Sequence, residues 1–202
     1  MTQTPDPRPL FTTALDQAGH LVATVTPDDL DRPTPCADYN VRTLLGHLVA
    51  VERRVVHIAH GGAPHEVTSL VTDVPDDGWL SAWTESRTAL DDVMAEDGVL
   101  QRTFAHPAGL LPGWQAVFAY VSEIATHGWD LAVAVGRRDE LDDELAAAAL
   151  GPVMQFLPAE PRGGPVPFAP PVDVAPNAPA YDRLVAWMGR DPQWSPQTGS
   201  AH

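Results

Sequence analysis

The sequence has no lysine, so all twelve of its basic residues are arginines. Because it also has 27 acidic residues, its formal net charge is −15 at pH 7. The arginines are scattered along the chain, and a surface of this charge repels the phosphate backbone of nucleic acids and anionic lipid headgroups. We therefore expect neither nucleic acids nor membrane surfaces as partners. The absence of lysine also excludes catalysis through a lysine Schiff base or a lysine general base.

Cysteine and long hydrophobic runs are scarce as well. The one cysteine, Cys36, has no second cysteine in the chain with which to form a disulfide, as is usual for a reducing compartment. No apolar run approaches the roughly 18 residues that a membrane-spanning helix needs. The first residues also lack the basic-then-apolar profile of a signal peptide. These features predict a cytoplasmic protein that does not insert into membranes.

Apolar residues recur with the period of an α-helix along most of the chain. The pattern predicts helices over about 9–25, 41–60, 78–98, 114–136 and 142–157, and a short one over 179–190. Between them, the proline-dense stretch 158–179 favours an extended strap over the surface. Because no stretch competes seriously as a β-strand, we predict an all-α protein, with a four-helix bundle at its core and long connections.

The same pattern predicts the domain organisation. We assign residues 1–202 to a single helical domain. Its core spans about 8–157, and the C-terminal strap with its short last helix spans about 158–194.

The fourth predicted helix carries two potential metal ligands one turn apart. Glu123 and His127 share a face of this helix, and apolar residues also lie on that face. A carboxylate and an imidazole that are buried there need partners, which a divalent ion bound by both would provide. The same spacing is common in surface ion pairs, so the pattern alone leaves both interpretations open.

His47 is the best candidate for a third ligand. It lies in the middle of the second predicted helix, on the flank of an apolar stripe. Two histidines and one carboxylate would leave a coordination position for water or substrate, which is typical of catalytic sites. The alternative interpretation of His47 is a hydrogen-bonded histidine of the core.

Three residues near these ligands are candidates for supporting roles. Arg53 and Arg54 follow His47 by about two helical turns and could bind a cofactor or a substrate carboxylate; the alternative is a pair of solvated side chains. Asp130 follows His127 by three residues and could accept a proton from its ring or make a helix-end contact; the alternatives are a solvent-facing acid or an inter-helix bond.

We predict structural roles, not metal binding or catalysis, for several other residues. His57, His60 and His65 lie at the end of the second predicted helix, where histidines suit the helix dipole without binding a metal. Cys36 has no sequence feature that would lower its pKa, so we predict a packed, unreactive thiol. Gly128, inside a helix, suggests a close approach between helices.

Three stretches resemble a single protein family. They are TPCADYNVRTLLGHLVA (34–50), SEIATHGWDLAVAVG (122–136) and FAPPVDVAPNAPAYDRLVAWMGRDPQW (168–194). Together they are similar to the DinB-like, mycothiol-dependent maleylpyruvate isomerase N-terminal family, and within it to the short actinobacterial members. The Thr-Pro-Cys opening, the helical histidine and the His-Gly-Trp-Asp block are specific in combination. Because the stretches occur in order at both ends and in the middle, the resemblance covers nearly the whole chain.

The resemblance implies a DinB-like four-helix bundle that binds one divalent metal, usually zinc in the isomerase. The matching ligands are His47, Glu123 and His127. It also implies a thiol cofactor, mycothiol, whose sulfur would take the open position on the metal. Nothing after residue 194 corresponds to the additional C-terminal domain of the isomerase, so maleylpyruvate itself is not the expected substrate.

We therefore expect a metal-dependent thiol transferase or isomerase that acts on a small organic electrophile, with zinc or another divalent ion as cofactor. Two other functions stay open. One is a metal-bearing bundle that binds a small ligand or forms a homodimer without catalysis. The other is a structural helical module in which the glutamate and histidine form an ion pair. The sequence identifies neither the substrate nor a general base.

Overall fold

A computed structural model describes residues 5–164, 166 and 168–196. The helices are α1 (Arg8–Val22), α2 (Val41–Ala59), α3 (Trp79–Met94), α4 (Gly113–Ala134), α5 (Asp143–Phe156) and α6 (Ala180–Trp187). Two short strands, β1 (Thr103–His106) and β2 (Gly109–Pro112), form an antiparallel hairpin between α3 and α4. The protein is mostly helical, which confirms the predicted fold class.

The helices α1 to α4 form the bundle. Each of them packs against two others, because α1 contacts α3 and α4, and α2 also contacts α3 and α4. Their apolar faces meet in one continuous core, whose largest fully buried side chains include Phe11, Leu44, Tyr120 and Trp129. The helix α5 extends this core beside α4, and α6 packs on both α4 and α5. This arrangement places α2, which carries His47, directly beside α4.

Local signals set the ends of the helices that matter for the site. The side chain of Asn40 caps α2 by accepting a hydrogen bond from the Thr43 amide at 2.9 Å, and Gly61 follows the helix with a φ of 89°. The side chain of Asp142 caps α5 by accepting from the Glu144 amide at 2.9 Å. The Asn40 cap lies about two turns before His47 and therefore helps to set its position around the helix.

The prediction that no strand occurs is wrong for residues 103–112. In the hairpin, Thr103 lies opposite Pro112 and His106 opposite Gly109. Phe104 is its buried side chain, whereas β2 is largely exposed. The hairpin therefore lacks the alternation of buried and exposed residues by which a strand is recognised. The strand β1 packs against α2 and α4, which brings His106 to the bundle.

The prediction that Gly128 marks a close approach of helices is also wrong. A Cβ atom at position 128 would come no nearer than 3.9 Å to its closest neighbour, the Gln17 side chain. The close approach occurs at Gly46, where a Cβ atom would lie 2.2 Å from the carbonyl oxygen of Val71. The Val71 amide also donates to the Gly46 carbonyl at 3.1 Å. The connection between α2 and α3 thus crosses α2 one residue before His47.

The C-terminal part of the chain returns to the bundle. The described residues between α5 and α6 include no helix or strand, in agreement with the predicted strap. Gly189 ends α6 with a φ of 81° and lies so close to the strap that a Cβ atom would be 2.7 Å from the Ala169 carbonyl oxygen. This turn directs Arg190 towards α4. Among the described residues, no helix has both the length and the hydropathy needed to cross a membrane.

Candidate metal centre

His47 of α2 meets Glu123 and His127 of α4 where the two helices pack together. The Nε2 atom of His47 lies 3.4 Å from Oε1 of Glu123. The ring centroids of His47 and His127 are 4.8 Å apart, with an angle of 77° between the rings. One potential ligand atom of each residue lies within 4.8 Å of those of the other two. The structure therefore brings together the three residues that the sequence selected.

A backbone carbonyl orients His47. The side chain is largely buried, and its Nδ1 lies 3.0 Å from the carbonyl oxygen of Ser69. Because a carbonyl oxygen only accepts hydrogen bonds, Nδ1 donates to Ser69, and Nε2 is the ring nitrogen that faces Glu123. The ring of Tyr39 packs against His47 with 5.4 Å between centroids. These two contacts hold the ring in the orientation that a metal ligand needs.

A carboxylate orients His127. Its Nδ1 lies 2.9 Å from Oδ2 of Asp130, which is completely buried and also pairs with Arg190. Burial raises the pKa of Asp130, but the hydrogen bond from His127 and the charge of Arg190 outweigh this effect and hold the pKa below its ordinary value. The ionised carboxylate therefore accepts a hydrogen bond from Nδ1, which leaves Nε2 as the ring nitrogen that a metal could use. The solvent-facing alternative for Asp130 is wrong.

Glu123 supplies the negative charge of the cluster. Burial raises its pKa, but the hydrogen bond and charge of His47, together with the charges of His127 and Arg54, lower it by more, so the carboxyl group is ionised at neutral pH. The side chain of Glu123 is 27% exposed, against 11% for His47 and 12% for His127. The cluster is therefore most open to solvent at this carboxylate.

The side chains of Tyr120, His106 and Arg54 lie close enough to Glu123 to interact with its charge. The hydroxyl of Tyr120 is buried and has no hydrogen-bond partner among the described residues. The ring of His106 packs edge-on against Tyr120 with 5.1 Å between centroids, and burial lowers the pKa of His106. Arg54 is also buried, and its positive charge contributes to the lowered pKa values of Glu123 and His106; it also opposes the increase that burial causes in the pKa of Tyr120. Arg54 therefore lies within electrostatic range of the cluster.

The two arginines selected from the sequence point to different sides of α2. Arg53 is exposed, and its Nε donates to Oγ of Ser86 on α3 at 3.2 Å. Arg54 is rotated from it by about 100° around the helix and lies on the side that faces Glu123. The geometry therefore favours Arg54 over Arg53 for a role in binding a cofactor or substrate.

His57 and His60 contact carboxylates away from the cluster. His57 lies 2.7 Å from Glu66, and His60 lies 3.4 Å from Glu96. In the part of the chain that the structure describes, the group of three whose ligand atoms converge is the one at His47. Cys36 is outside this group, half-buried, and burial raises the pKa of its thiol, as expected of a packed, unreactive cysteine.

The donor set fits a divalent transition metal. Imidazole nitrogens and a carboxylate oxygen are ordinary ligands of zinc and of similar ions. Each histidine is hydrogen-bonded through its other ring nitrogen, which is the usual arrangement for ligating histidines. Three protein donors would leave a coordination position for a further ligand.

Some residues of the site were not selected from the sequence. Ser69 and Arg190 lie far along the chain from the histidine and the aspartate that they contact, and no local motif marks them. Tyr120 precedes Glu123 by three residues, and this helical spacing could have indicated that the two share a face. His106 was not identified as a site residue because the hairpin that carries it was not predicted.

The fold and the site define a helical bundle with a two-histidine, one-carboxylate cluster suited to a divalent metal. Residues 11–132 match the sequence model of the mycothiol maleylpyruvate isomerase N-terminal domain. The chain belongs to this family, as the resemblance predicted. The matched region contains all three residues of the cluster and Asp130, whereas Arg190 lies outside it.

The chain is also similar over most of its length to two uncharacterised proteins of Mycobacterium tuberculosis. They are Rv0738 of strain H37Rv and MT0763 of strain CDC 1551. Each is 29% identical over 185 residues, which cover 92% of this chain and 98% of the relative. No solved structure matches the chain significantly. These similarities establish the family, and the names of the two relatives describe no activity.

Proposed function

We propose that the protein is a divalent-metal-dependent thiol transferase or isomerase that acts on a small organic electrophile. The main support for this proposal is the cluster of His47, Glu123 and His127. Their potential ligand atoms all lie within 4.8 Å of one another. Membership of a family named for a mycothiol-linked isomerase supports mycothiol as the thiol. Zinc is the metal that we expect, because imidazole and carboxylate donors suit it.

In this proposal, His47, Glu123 and His127 hold the ion. When bound there, a divalent ion would lower the pKa of a thiol or water that coordinates it and so supply a nucleophile at neutral pH. The carbonyl of Ser69 and the carboxylate of Asp130 keep the two imidazole rings in their ligating orientation. These two acceptors set the ring orientations through contacts within the protein itself.

We assign Arg54 the role of binding an anionic group of the thiol or of the electrophile. It is buried beside the cluster and forms no ion pair with any described residue. Arginine binds a carboxylate through two parallel hydrogen bonds. A carboxylate on the ligand would therefore compensate the buried charge of Arg54. The electrophile or thiol that fits best is one that carries such a group.

The test of this function is thiol-dependent turnover of a panel of small electrophiles by zinc-loaded protein. We expect the wild type to convert at least one electrophile only when mycothiol is present; a transferase consumes the thiol, whereas an isomerase regenerates it. Glu123→Gln should reduce the rate by more than about 100-fold, since losing a ligand exceeds the effect of about 10–100-fold that is typical of an outer-shell change. Glu66→Gln is the matched control, because Glu66 pairs with His57 away from the cluster, and it should keep the wild-type rate.

Two outcomes would contradict this proposal. If the wild type binds the ion but turns over no electrophile with any thiol, the alternative function is favoured, namely a non-catalytic bundle that binds a small ligand or forms a homodimer. If Glu123→Gln is as active as the wild type, the reaction does not take place at this cluster.

A further inference from the structure

The residue that supports Asp130 comes from the C-terminal segment. Arg190 follows α6 and lies 60 positions from Asp130 in the sequence. Its Nε atom lies 3.0 Å from Oδ1 of Asp130, and its second terminal nitrogen, Nη2, lies 3.2 Å from Oδ2. Asp130 Oδ2 also accepts the hydrogen bond of His127 at 2.9 Å. A single buried carboxylate thus joins the C-terminal segment to a candidate metal ligand.

Asp130 depends on this arginine because of its burial. A carboxylate with no access to solvent needs charged or hydrogen-bonding partners, and the partners of Asp130 are His127 and Arg190. If Arg190 is removed, the negative charge is supported by the imidazole alone. The carboxylate then loses the two-point contact that fixes its orientation, and a rotated carboxylate no longer orients His127.

Backbone contacts on both sides of α6 fix the position of Arg190. The Arg190 amide donates to the Val185 carbonyl at 2.8 Å, and the left-handed turn at Gly189 packs against Ala169 of the strap. At the other end of α6, the Tyr181 amide donates to the side chain of Asp143 on α5 at 3.1 Å. The helix α6 is therefore held at both ends, and Arg190 projects from a docked element.

We propose that Arg190 is a positioning residue of the metal centre, which holds Asp130 in place so that His127 is oriented to bind the ion. This inference rests on the proposed metal centre. It makes docking of the segment 180–196 and binding of the ion mutually stabilising. By linkage, docking of Arg190 strengthens ion binding by the same factor as the bound ion strengthens docking.

The first experiment measures the affinity for Zn²⁺ by competition with a chromophoric chelator. We expect Asp130→Asn and Arg190→Gln each to weaken binding by about 10-fold or more, as is typical of changes to the partners of a ligating histidine. The double variant should bind no more weakly than Asp130→Asn alone, because Arg190 acts through Asp130. Arg183→Gln, which removes an exposed arginine of α6, is the matched control and should bind like the wild type.

The second experiment measures hydrogen exchange of α6 with and without Zn²⁺. In the wild type, we expect saturating Zn²⁺ to slow exchange of the backbone amides in 180–190. In Arg190→Gln, saturating Zn²⁺ should leave this exchange unchanged. If Arg190→Gln does not fold, Arg190→Lys serves instead, since it keeps the charge but loses the two-point contact with the carboxylate; its affinity should lie between those of the wild type and Asp130→Asn.

The outcomes separate this inference from the proposed function. Wild-type Zn²⁺ affinity in Arg190→Gln, or losses that add up in the double variant, would overturn the role of Arg190 while leaving the metal centre intact. A wild-type protein that binds no Zn²⁺ would overturn both.

Discussion

The two histidines of the cluster are oriented by acceptors of different charge. His47 bonds to the neutral carbonyl of Ser69, whereas His127 bonds to the ionised carboxylate of Asp130. A carboxylate partner increases the basicity of the imidazole that it accepts from. We therefore expect His127 to be the stronger donor to a metal. The centre is asymmetric, because α4 supplies both of its carboxylates and α2 supplies neither.

Glu52 is a buried carboxyl group on the same helix as His47. It is completely buried, and neither of its oxygens has a hydrogen-bond partner in the described part of the chain. Burial raises the pKa of Glu52 to about 9, against smaller opposing effects of Arg87 and Arg53, while Asp91 raises it further. The group is therefore protonated and uncharged at pH 7. No local feature of the Val-Glu-Arg-Arg run marks Glu52 as buried, and only the packing of the bundle shows that it is.

The state of Glu52 predicts how stability depends on pH. Its pKa is higher in the folded chain than the value of about 4.3 expected in the unfolded chain, so between these values the folded state holds more protons. The contribution of protonated Glu52 to the free energy of unfolding is complete below about pH 4.3. This contribution is lost as the pH rises towards 9. We expect Glu52→Gln to remove a slope of up to about 1.4 kcal/mol per pH unit. Urea denaturation of the metal-free protein from pH 5 to pH 9 measures this slope.

Glu85→Gln is the control for this prediction. Glu85 is an exposed glutamate of α3, so its replacement should leave the pH profile parallel to that of the wild type. If Glu52→Gln also runs parallel to the wild type, Glu52 does not titrate abnormally in the folded chain.

The crossing of the α2–α3 connection over α2 depends on Gly46. A Cβ atom at this position would overlap the carbonyl oxygen of Val71 at 2.2 Å, so Gly46→Ala must displace the connection. We expect a loss of roughly 1–3 kcal/mol in the free energy of unfolding, as for other overpacked sites. The displaced segment also carries the Ser69 carbonyl, so the affinity for Zn²⁺ should fall as well. Thermal denaturation and the chelator competition measure the two effects.

A helical glycine with free space around it provides the control for Gly46. A Cβ atom at Gly151 of α5 would meet nothing within 4 Å. Because alanine favours a helix over glycine by about 1 kcal/mol, Gly151→Ala should stabilise the protein. An equal gain for Gly46→Ala would show that the connection does not pack on α2 as described.

The helices could be predicted from the sequence because each carries its own periodic pattern and end signals. Asn40 and Gly61 bound α2 at almost the predicted residues. The helix α1 ends at Val22, not at Val25, because the hydroxyl and the amide of Thr24 both donate to the Leu21 carbonyl and close a tighter turn. The hairpin was missed because its stability comes from packing of Phe104 on the bundle, which no short stretch of sequence reveals.

The candidate site was predictable to the extent that it depends on single helices. The spacing of Glu123 and His127 and the position of His47 in an apolar helix are local features, and they identified the three residues. Their supporting contacts depend on tertiary structure. Arg190 reaches Asp130 only because α6 packs on α4 and α5, and Ser69 reaches His47 only because the α2–α3 connection crosses at Gly46.

The centre connects parts of the molecule that are distant in sequence. His47 comes from α2, Glu123 and His127 come from α4, and their supports come from the α2–α3 connection and the residue that follows α6. The net charge of −15 repels anionic ligands at long range. Arg54 is a local positive charge near Glu123, in a molecule whose net charge is negative.

The most direct measurement for this account is the metal content of protein purified without chelator or nickel resin. We predict about one zinc or other divalent ion per wild-type chain, as expected for a single site with three protein ligands, and almost none in His47→Ala. The matched variant His57→Ala, which removes an α2 histidine paired with Glu66 instead, should retain the wild-type content. A wild-type chain that stays metal-free even after incubation with Zn²⁺, or a His47→Ala chain that keeps its full metal content, would contradict the assignment of this cluster as a metal centre.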